Sequence, residues 1–450
     1  MRNVVDRHRP GGFARVAAGA FLAAAVGAPS VASAQLQEVV IKGSPSPEGG
    51  GSVYRSFKRP AASDLIGSRT VFEAKIKGGA GSRSGLFFDD PAGGGSTVVL
   101  SREIAPNGQG FRRFRKHPSS NTLAEIAWHS TLTGSGRGIF QNGPANVDLV
   151  GDGVPAPANG SLQTFFRPIR ADNGATAFYA SISGGSIVNG IVADEGIFRC
   201  NGGDFDCTSG TGVLETVVIK GDLVPDRPGR SFCDIEEGIG ASSLGVAFRA
   251  TTQLDCTDLL EIPLTGVFRW SGGAIETIAM QTEQAQPFLF VGGTTYGNFS
   301  VNPAMANDGS VVFVAETAGV VNTHVIYRCD AGACPALPAT SIVLAGDTDG
   351  VGNTVSTFFT GLSVADTLDV AFHTRVTDIN SRRGRGIYVY RDATASLERI
   401  ASKEDIAPGV APGIYRRVYA PDMSSMGRIA FRAKVKRLAG GSVTGIYLFE

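Results

Sequence analysis

Residues 428–435 read Arg-Ile-Ala-Phe-Arg-Ala-Lys-Val, and residues 444–449 read Thr-Gly-Ile-Tyr-Leu-Phe. In the first stretch Phe431, Ala433 and Val435 share one face, the period of two that marks a β-strand. It recurs around Phe72, Trp128, Phe178, Phe248, Phe313 and Phe372, with gaps of 56, 50, 70, 65, 59 and 59 residues between the seven aromatics. The second stretch recurs as Gly-apolar-aromatic at Phe87, Phe140, Phe198, Phe268, Tyr388 and Tyr447, with the variant Val-Ile-Tyr at Tyr327. A branched run follows at Val98, Leu149, Val217, Ile278, Ile342 and Ile400. Ahead of each first aromatic lies one more apolar position: Phe57, Phe114, Phe165, Ile235, Phe299, Phe358 and Val418.

Each unit is therefore four short strands, A to D, separated by NG, DG, GG and PG turns. Seven such units of roughly sixty residues predict one all-β domain, a seven-bladed β-propeller over residues 35–450. A leucine-rich solenoid or β-helix needs repeats of ~20–30 residues, and separate sandwiches need ~100 residues each. No stretch after the first 34 residues carries a sustained helical period.

The repeats resemble exported bacterial tandem-repeat proteins named for the motif NxxGxxAF. Its Gly, four before the aromatic, is Gly174, Gly309 and Gly427. Its Ala is Ala127, Ala177, Ala247, Ala371 and Ala430, and its Asn is Asn121. The resemblance implies a propeller-like repeat design and brings no activity or catalytic residues with it. Many members carry a C-terminal anchoring signal; GIYLFE at residues 445–450 is not one, so no such anchor is expected.

The seventh unit reaches residue 450 with strands A, B and C only. Its strand D is expected from the other end of the sequence. Val39–Gly43 reads VVIKG, identical to Val217–Gly221 at the strand D of unit three. Residues 37–43 are thus expected to pair antiparallel with residues 444–450 and close the ring, removing two open edges.

Arg2, Arg7, Arg9 and Arg15 precede an apolar run from Val16 to Ala28, followed by Val31-Ala32-Ser33-Ala34. That is the layout of a secretory signal peptide over residues 1–34, cut after Ala34. The 13-residue run is too short to span a bilayer. The expectation is a secreted or periplasmic, monomeric chain with no transmembrane segment. Six cysteines in such a chain read as disulfides. Cys200/Cys207 and Cys329/Cys334 each flank a short Gly-containing loop, which leaves Cys233 with Cys256. No C-x-x-C or zinc-spaced Cys/His cluster competes with that reading.

The chain holds 41 basic and 41 acidic residues, so no global excess points to nucleic acid. The charge is uneven, however. Residues 35–150 carry 14 basic and 9 acidic residues, and residues 401–450 carry 8 and 4, while the stretches between are acidic. In a closed ring these ends adjoin, giving a basic arc over units seven, one and two. Its members are Arg112, Arg113, Arg115, Lys116, Arg416, Arg417, Lys434, Lys436 and Arg437, with Phe111, Phe114, Tyr415 and Tyr419 interleaved. Such an arc attracts an anionic polysaccharide, a lipid head group or an acidic cell-surface partner; otherwise it is a solvated surface. Arg382 and Arg383 are placed outside it.

Catalytic signatures are missing. There is no G-x-S-x-G, H-E-x-x-H or G-x-x-x-x-G-K-[ST], and His129 and His373 read as strand residues opposite the aromatics. A Gly-Asp pair recurs after strand D, at Gly151-Asp152, Gly221-Asp222 and Gly346-Asp347. It reads either as turn chemistry or, with Asp347, Asp349 and Asn353, as oxygen ligands for calcium. No motif calls for any other cofactor. The function expected is an exported, non-enzymatic binding scaffold. The alternative is a propeller hydrolase or lyase acting on extracellular glycans or lactones, which would need carboxylates or His with Asp converging on the central channel.

Overall fold

The computed structural model describes residues 35–450, other than 64–69, 79–80, 90–94, 143–146, 158, 202–206, 208–211, 286–293, 319–322, 335–337 and 411; the side chains of Lys116, His117 and Val147 are also outside the description. The expected signal segment, 1–34, lies outside the described residues.

The chain forms seven antiparallel blades in sequence order. Blade 1 runs Val53–Ala62, Thr70–Gly78, Gly81–Asp89, Ser96–Leu100, and blade 2 runs Phe111–Ser120, Ile126–Leu132, Arg137–Gln141, Val147–Gly151. Blade 3 is Ser161–Arg170, Thr176–Ser183, Glu195–Asn201, Val213–Ile219, and blade 4 is Ser231–Ala241, Gly245–Gln253, Leu264–Ser271, Ala274–Met280. Blade 5 is Thr295–Met305, Val311–Ala318, His324–Cys329, Thr340–Leu344. In blades 6 and 7 strand A is split: Thr354–Phe358 with Ser363–Val364, and Gly413–Val418 with Asp422–Met423. Blade 6 continues Val370–Thr377, Arg383–Arg391, Ser396–Ser402, and blade 7 continues Ile429–Arg437, Ser442–Phe449. Blade 7 is completed by Leu36–Ile41, which pairs antiparallel with Ser442–Phe449 from Leu36↔Phe449 to Ile41↔Gly445. The ring closes as the repeated VVIKG implied.

The seven-fold sequence signal has one physical source. In every blade the strand-B and strand-C aromatics are directly opposed partners, from Phe72↔Phe87 to Phe431↔Tyr447. Their rings lie nearly parallel, as at Phe313–Tyr327 (5.5 Å, 22°) and Phe431–Tyr447 (5.6 Å, 24°), offset pairs that add to burial. The strand-C ring folds back over the residue two before it, which explains the Gly of Gly-apolar-aromatic. A Cβ on Gly266 would meet Phe268 at 2.7 Å, and one on Gly386 would meet Tyr388 at 2.7 Å. Blade 5, with Val325 at this place, is the exception.

Strand D ends in a turn that recurs in all seven blades with a positive φ: Gly43, Arg102, Gly153, Gly221, Thr282, Gly346 and Glu404. This register corrects the Gly-Asp expectation in part. Asp222 and Asp347 are equivalent and cap the backbone N–H three residues back, at 2.9 Å from Ile219 and 2.8 Å from Leu344. Glu103, Glu283 and Asp405 do the same in their blades. Asp152 stands one residue earlier in this turn, ahead of Gly153, and is not their counterpart.

Three disulfides join Cys200–Cys207, Cys233–Cys256 and Cys329–Cys334, the pairing the spacing suggested. Between neighbouring blades an arginine one residue past the strand-C aromatic reaches over. Arg199 donates to the Ser243 carbonyl, Arg269 to that of Gly309, and Arg328 to Asp392. Among the described residues no helix is long and apolar enough to cross a membrane.

Candidate functional site

A groove of about 540 Å³ opens at the seam of blades 6 and 7, lined by Arg375, Arg383, Gly384, Arg385, Lys403, Arg416 and Arg417. Six of the seven lining residues are cationic and none is acidic. Arg375 and Arg385 are directly opposed across strands B and C of blade 6, a like-charge pair that costs ~0.2–1 kcal/mol on a sheet. Arg416 enters from blade 7, where strand A bulges between Tyr415 and Arg417. Two guanidiniums are fixed by ring faces: Arg385 lies 4.5 Å from the centroid of Phe359, and Arg417 lies 5.0 Å from that of Tyr419. No carboxylate pairs with Arg375, Arg383, Arg385, Arg416 or Arg417 among the described residues. Lys403 approaches Glu404 at 3.5 Å, with both side chains largely in solvent. Elsewhere the same blade neutralises its cations: Arg391 bonds both Asp369 (2.8 Å) and Glu398 (2.7 Å).

The arc expected from the sequence is redistributed. Arg416 and Arg417 sit in this groove, but blade 6 completes it, not Arg112, Arg113 or Arg115, which are exposed on strand A of blade 2. Arg383, placed outside the arc by sequence, lines the groove. Lys434 is half-buried opposite Arg417, while Lys436 and Arg437 are exposed at the end of strand B of blade 7. Arg437 also acts on Glu38 of the closing strand, whose carboxyl is pushed up by burial and pulled back by that cation. The Lys116 side chain lies outside the description.

The oxygens proposed for calcium have other work. Asp349 takes the buried place held by Ala105, Ala156, Ala285 and Ala407 in other blades. Its carboxylate accepts from the Asn353 amide (2.8 Å), the backbone of Val351 and Asn353, and the Tyr388 hydroxyl (3.1 Å). Burial raises its pKa and these four bonds lower it, leaving it below the ordinary carboxylate value. No group of three or more His, Cys, Asp or Glu side chains suited to a metal occurs among the described residues.

His129 and His373 are buried in different seams. His129 meets Phe165 of blade 3 edge-on at 6.2 Å, and His373 lies 5.0 Å from Phe359. Burial, with Arg385, Arg417 and Arg59 nearby, pushes the His373 imidazole down to about 3.

Strand A of each blade reaches the ring axis, and two connected cavities run along it. The mouth, about 170 Å³, is belted by hydrogen bonds that pass from blade to blade. The Thr122 amide donates to Asp172 (2.8 Å), the Ser243 amide to Asn307 (3.2 Å), and the Asp366 amide to the Ser425 carbonyl (2.8 Å). The Asn307 side-chain amide bridges Asp172 (2.6 Å) and Asp366 (3.2 Å). Below the mouth, a waist of about 130 Å³ presents Arg59, Arg167, Asn302 and Asp422. Sequence reasoning missed these residues. The signal was a proline ten residues ahead of the strand-B aromatic, at Pro118, Pro168, Pro303 and Pro421.

Fold and groove together define a seven-bladed propeller with a cationic cleft between two blades. The chain belongs to the family of unknown function DUF7453, whose model matches residues 19–333 and, overlapping, 245–448. No curated protein matches it. Among solved structures it is similar to a protein of unknown function from Dyadobacter fermentans, with 9% identity over 92% of this chain and 99% of that one (TM-score 0.33). It is also similar to a Penicillium chrysogenum α-L-arabinanase, with 9% identity over 92% and 98% (TM-score 0.37). An ulvan lyase shows 8% identity over 91% and 94% (TM-score 0.40).

Proposed function

We propose that this protein is an exported, non-enzymatic binding scaffold whose ligand is an anionic polysaccharide seated between blades 6 and 7. One observation carries the reading: six cationic side chains line one groove without a carboxylate among them. Arg391 of the same blade, by contrast, is paired with both Asp369 and Glu398. An extended anion supplies the missing charge, and planar guanidiniums suit sulfate and carboxylate oxygens. The NxxGxxAF likeness belongs to this proposal as a description of the A–B turn, where Gly174, Gly309 and Gly427 have positive φ.

The test is binding of a fluorescent sulfated or uronate oligosaccharide, followed by anisotropy at several salt concentrations. Wild type binds, and affinity falls steeply with salt. R383E/R416E weakens binding at least tenfold, whereas R112E/R113E/R115E changes it less than about threefold. Equal losses in both variants refute the groove. Binding of acidic-lipid vesicles but no oligosaccharide would also remove this reading.

Export completes the proposal. It rests on the segment 1–34 and on three disulfides. Expressed with its leader, the protein recovered outside the cytoplasm is expected to begin at Gln35 by N-terminal sequencing. A protein retained inside with Met1 intact contradicts it.

A further inference from the structure

Strand A breaks register in every blade, in blade 2 across Pro118 between Arg115 and Ser119, and in blades 1, 3 and 5 likewise at a proline. In those three the shifts fall between Phe57 and Pro60, between Phe166 and Ile169, and between Val301 and Ala304. Proline has no N–H for the ladder, so the strand bulges there and the preceding residue has no register partner. In blades 1, 3 and 5 those preceding residues are Arg59, Arg167 and Asn302, and all three line the waist of the channel. The bulges thus bring two guanidiniums from separate blades to one cavity.

We propose that this waist binds one small oxyanion, a carboxylate or a phosphate, between Arg59 and Arg167. Arg59 is held in place. It donates to the Pro421 carbonyl and lies 3.9 Å from Asp422, whose other oxygen accepts from the Ala62 amide at 3.1 Å. Blade 6 makes room for it with Gly361: a Cβ there would stand 2.3 Å from that of Ala420 and 3.3 Å from the Arg59 guanidinium. Arg167 donates no hydrogen bond among the described residues, and Glu237, which does not line the cavity, acts on it electrostatically only. Its φ of 38° is in the left-handed region although Pro168 follows, a conformation that costs about 1–3 kcal/mol. Strain and a guanidinium with no hydrogen bond among the described residues coincide at one residue lining the cavity.

The charges agree. The lining itself carries two guanidiniums and one carboxylate, Asp422, in a cavity walled by Pro60, Pro118, Pro168 and Pro303, and Glu237 acts on Arg167 from outside that lining. Burial lowers the proton affinity of both guanidiniums; Asp422 opposes this at Arg59 and Arg167 reinforces it, while Glu237 opposes it at Arg167. About 130 Å³ holds several waters, room for a small anion that can bond both guanidiniums. The site is separate from the groove and does not depend on the polysaccharide reading.

The test is calorimetric titration of the full protein with sodium phosphate and with sodium acetate, at constant ionic strength in chloride. Saturable one-to-one binding of at least one anion is expected, with a matching rise in melting temperature. A response to phosphate alone identifies a phosphate site, and one to acetate alone a carboxylate site. R167M removes no hydrogen bond of the fold, so it is expected to melt as wild type does without anion and to bind at least tenfold more weakly. R167K is expected to fall between them, and R383E/R416E to bind as wild type. Absence of saturable binding of either anion, or undiminished binding by R167M, overturns the proposal.

Discussion

A chain lacking residues 35–43 is expected to melt roughly 5–10 °C below the full-length protein and to aggregate at micromolar concentration. The deleted strand belongs to two blades at once. It supplies the outer strand of blade 7 through the pairs Leu36↔Phe449 to Ile41↔Gly445 and the Lys42 N–H bond to Thr444 (2.8 Å). It also ties to blade 1. The Gly43 amide donates to the Tyr54 carbonyl (2.9 Å), and buried Val40 packs in a cluster with Tyr54, Phe57 and Phe72. Without it, Ser442–Phe449 becomes an open edge and the seam between last and first blades loses its outer support. Differential scanning calorimetry and light scattering measure both effects. A truncated chain that melts cooperatively at the full-length temperature would show that ring closure contributes nothing to stability.

Acidification is expected to remove about 2–3 kcal/mol between pH 7.5 and 4.5 through His373 alone. The imidazole is 4% exposed, its Nε2 has no hydrogen-bond partner, and Arg385, Arg417 and Arg59 oppose a further positive charge. Its pKa of about 3 lies below the ordinary 6.5, so in this window the unfolded chain takes up a proton that the folded chain refuses. The stabilisation is therefore complete above pH 6.5 and is lost as pH falls towards 3. Glu73, raised to about 7 by burial against the pull of Lys58, has the opposite slope, so the raw profile mixes the two. Urea titrations of wild type and H373F at both pH values isolate the histidine. The variant should lose about 2–3 kcal/mol less than wild type on acidification. Equal losses would mean that His373 takes up its proton without cost.

Much of the ring was legible because its determinants are local. Phe431 and Tyr447 are opposed across a short hairpin, and Gly445 must be small because the ring of Tyr447 lies over it. Both appear in sequence as a fixed spacing. Closure was legible because Val39–Gly43 repeats Val217–Gly221 literally. The site was not legible to the same degree. Which seam a basic residue faces depends on bulges such as that between Tyr415 and Arg417, and a bulge leaves no mark in composition. Arg416 was therefore grouped with units one and two, although it shares a groove with Arg375 and Arg383 of blade 6. The waist was missed for a related reason. Arg59 and Arg167 are 108 positions apart in sequence, and only the ring axis brings them together.

Closure by the two ends also fixes a sequence of events during synthesis. Leu36–Ile41 is made well before its partner Ser442–Phe449, so the contact is of very long range in sequence. Six blades can complete their sheets as they emerge, while the first strand waits unpaired. Glu38 and Lys42 bracket its Val39-Val40-Ile41 run, and charges so placed act as gatekeepers against premature pairing with other chains. A product that ends early never receives the partner strand and keeps an open edge. Ring closure therefore waits until Ser442–Phe449 has been made.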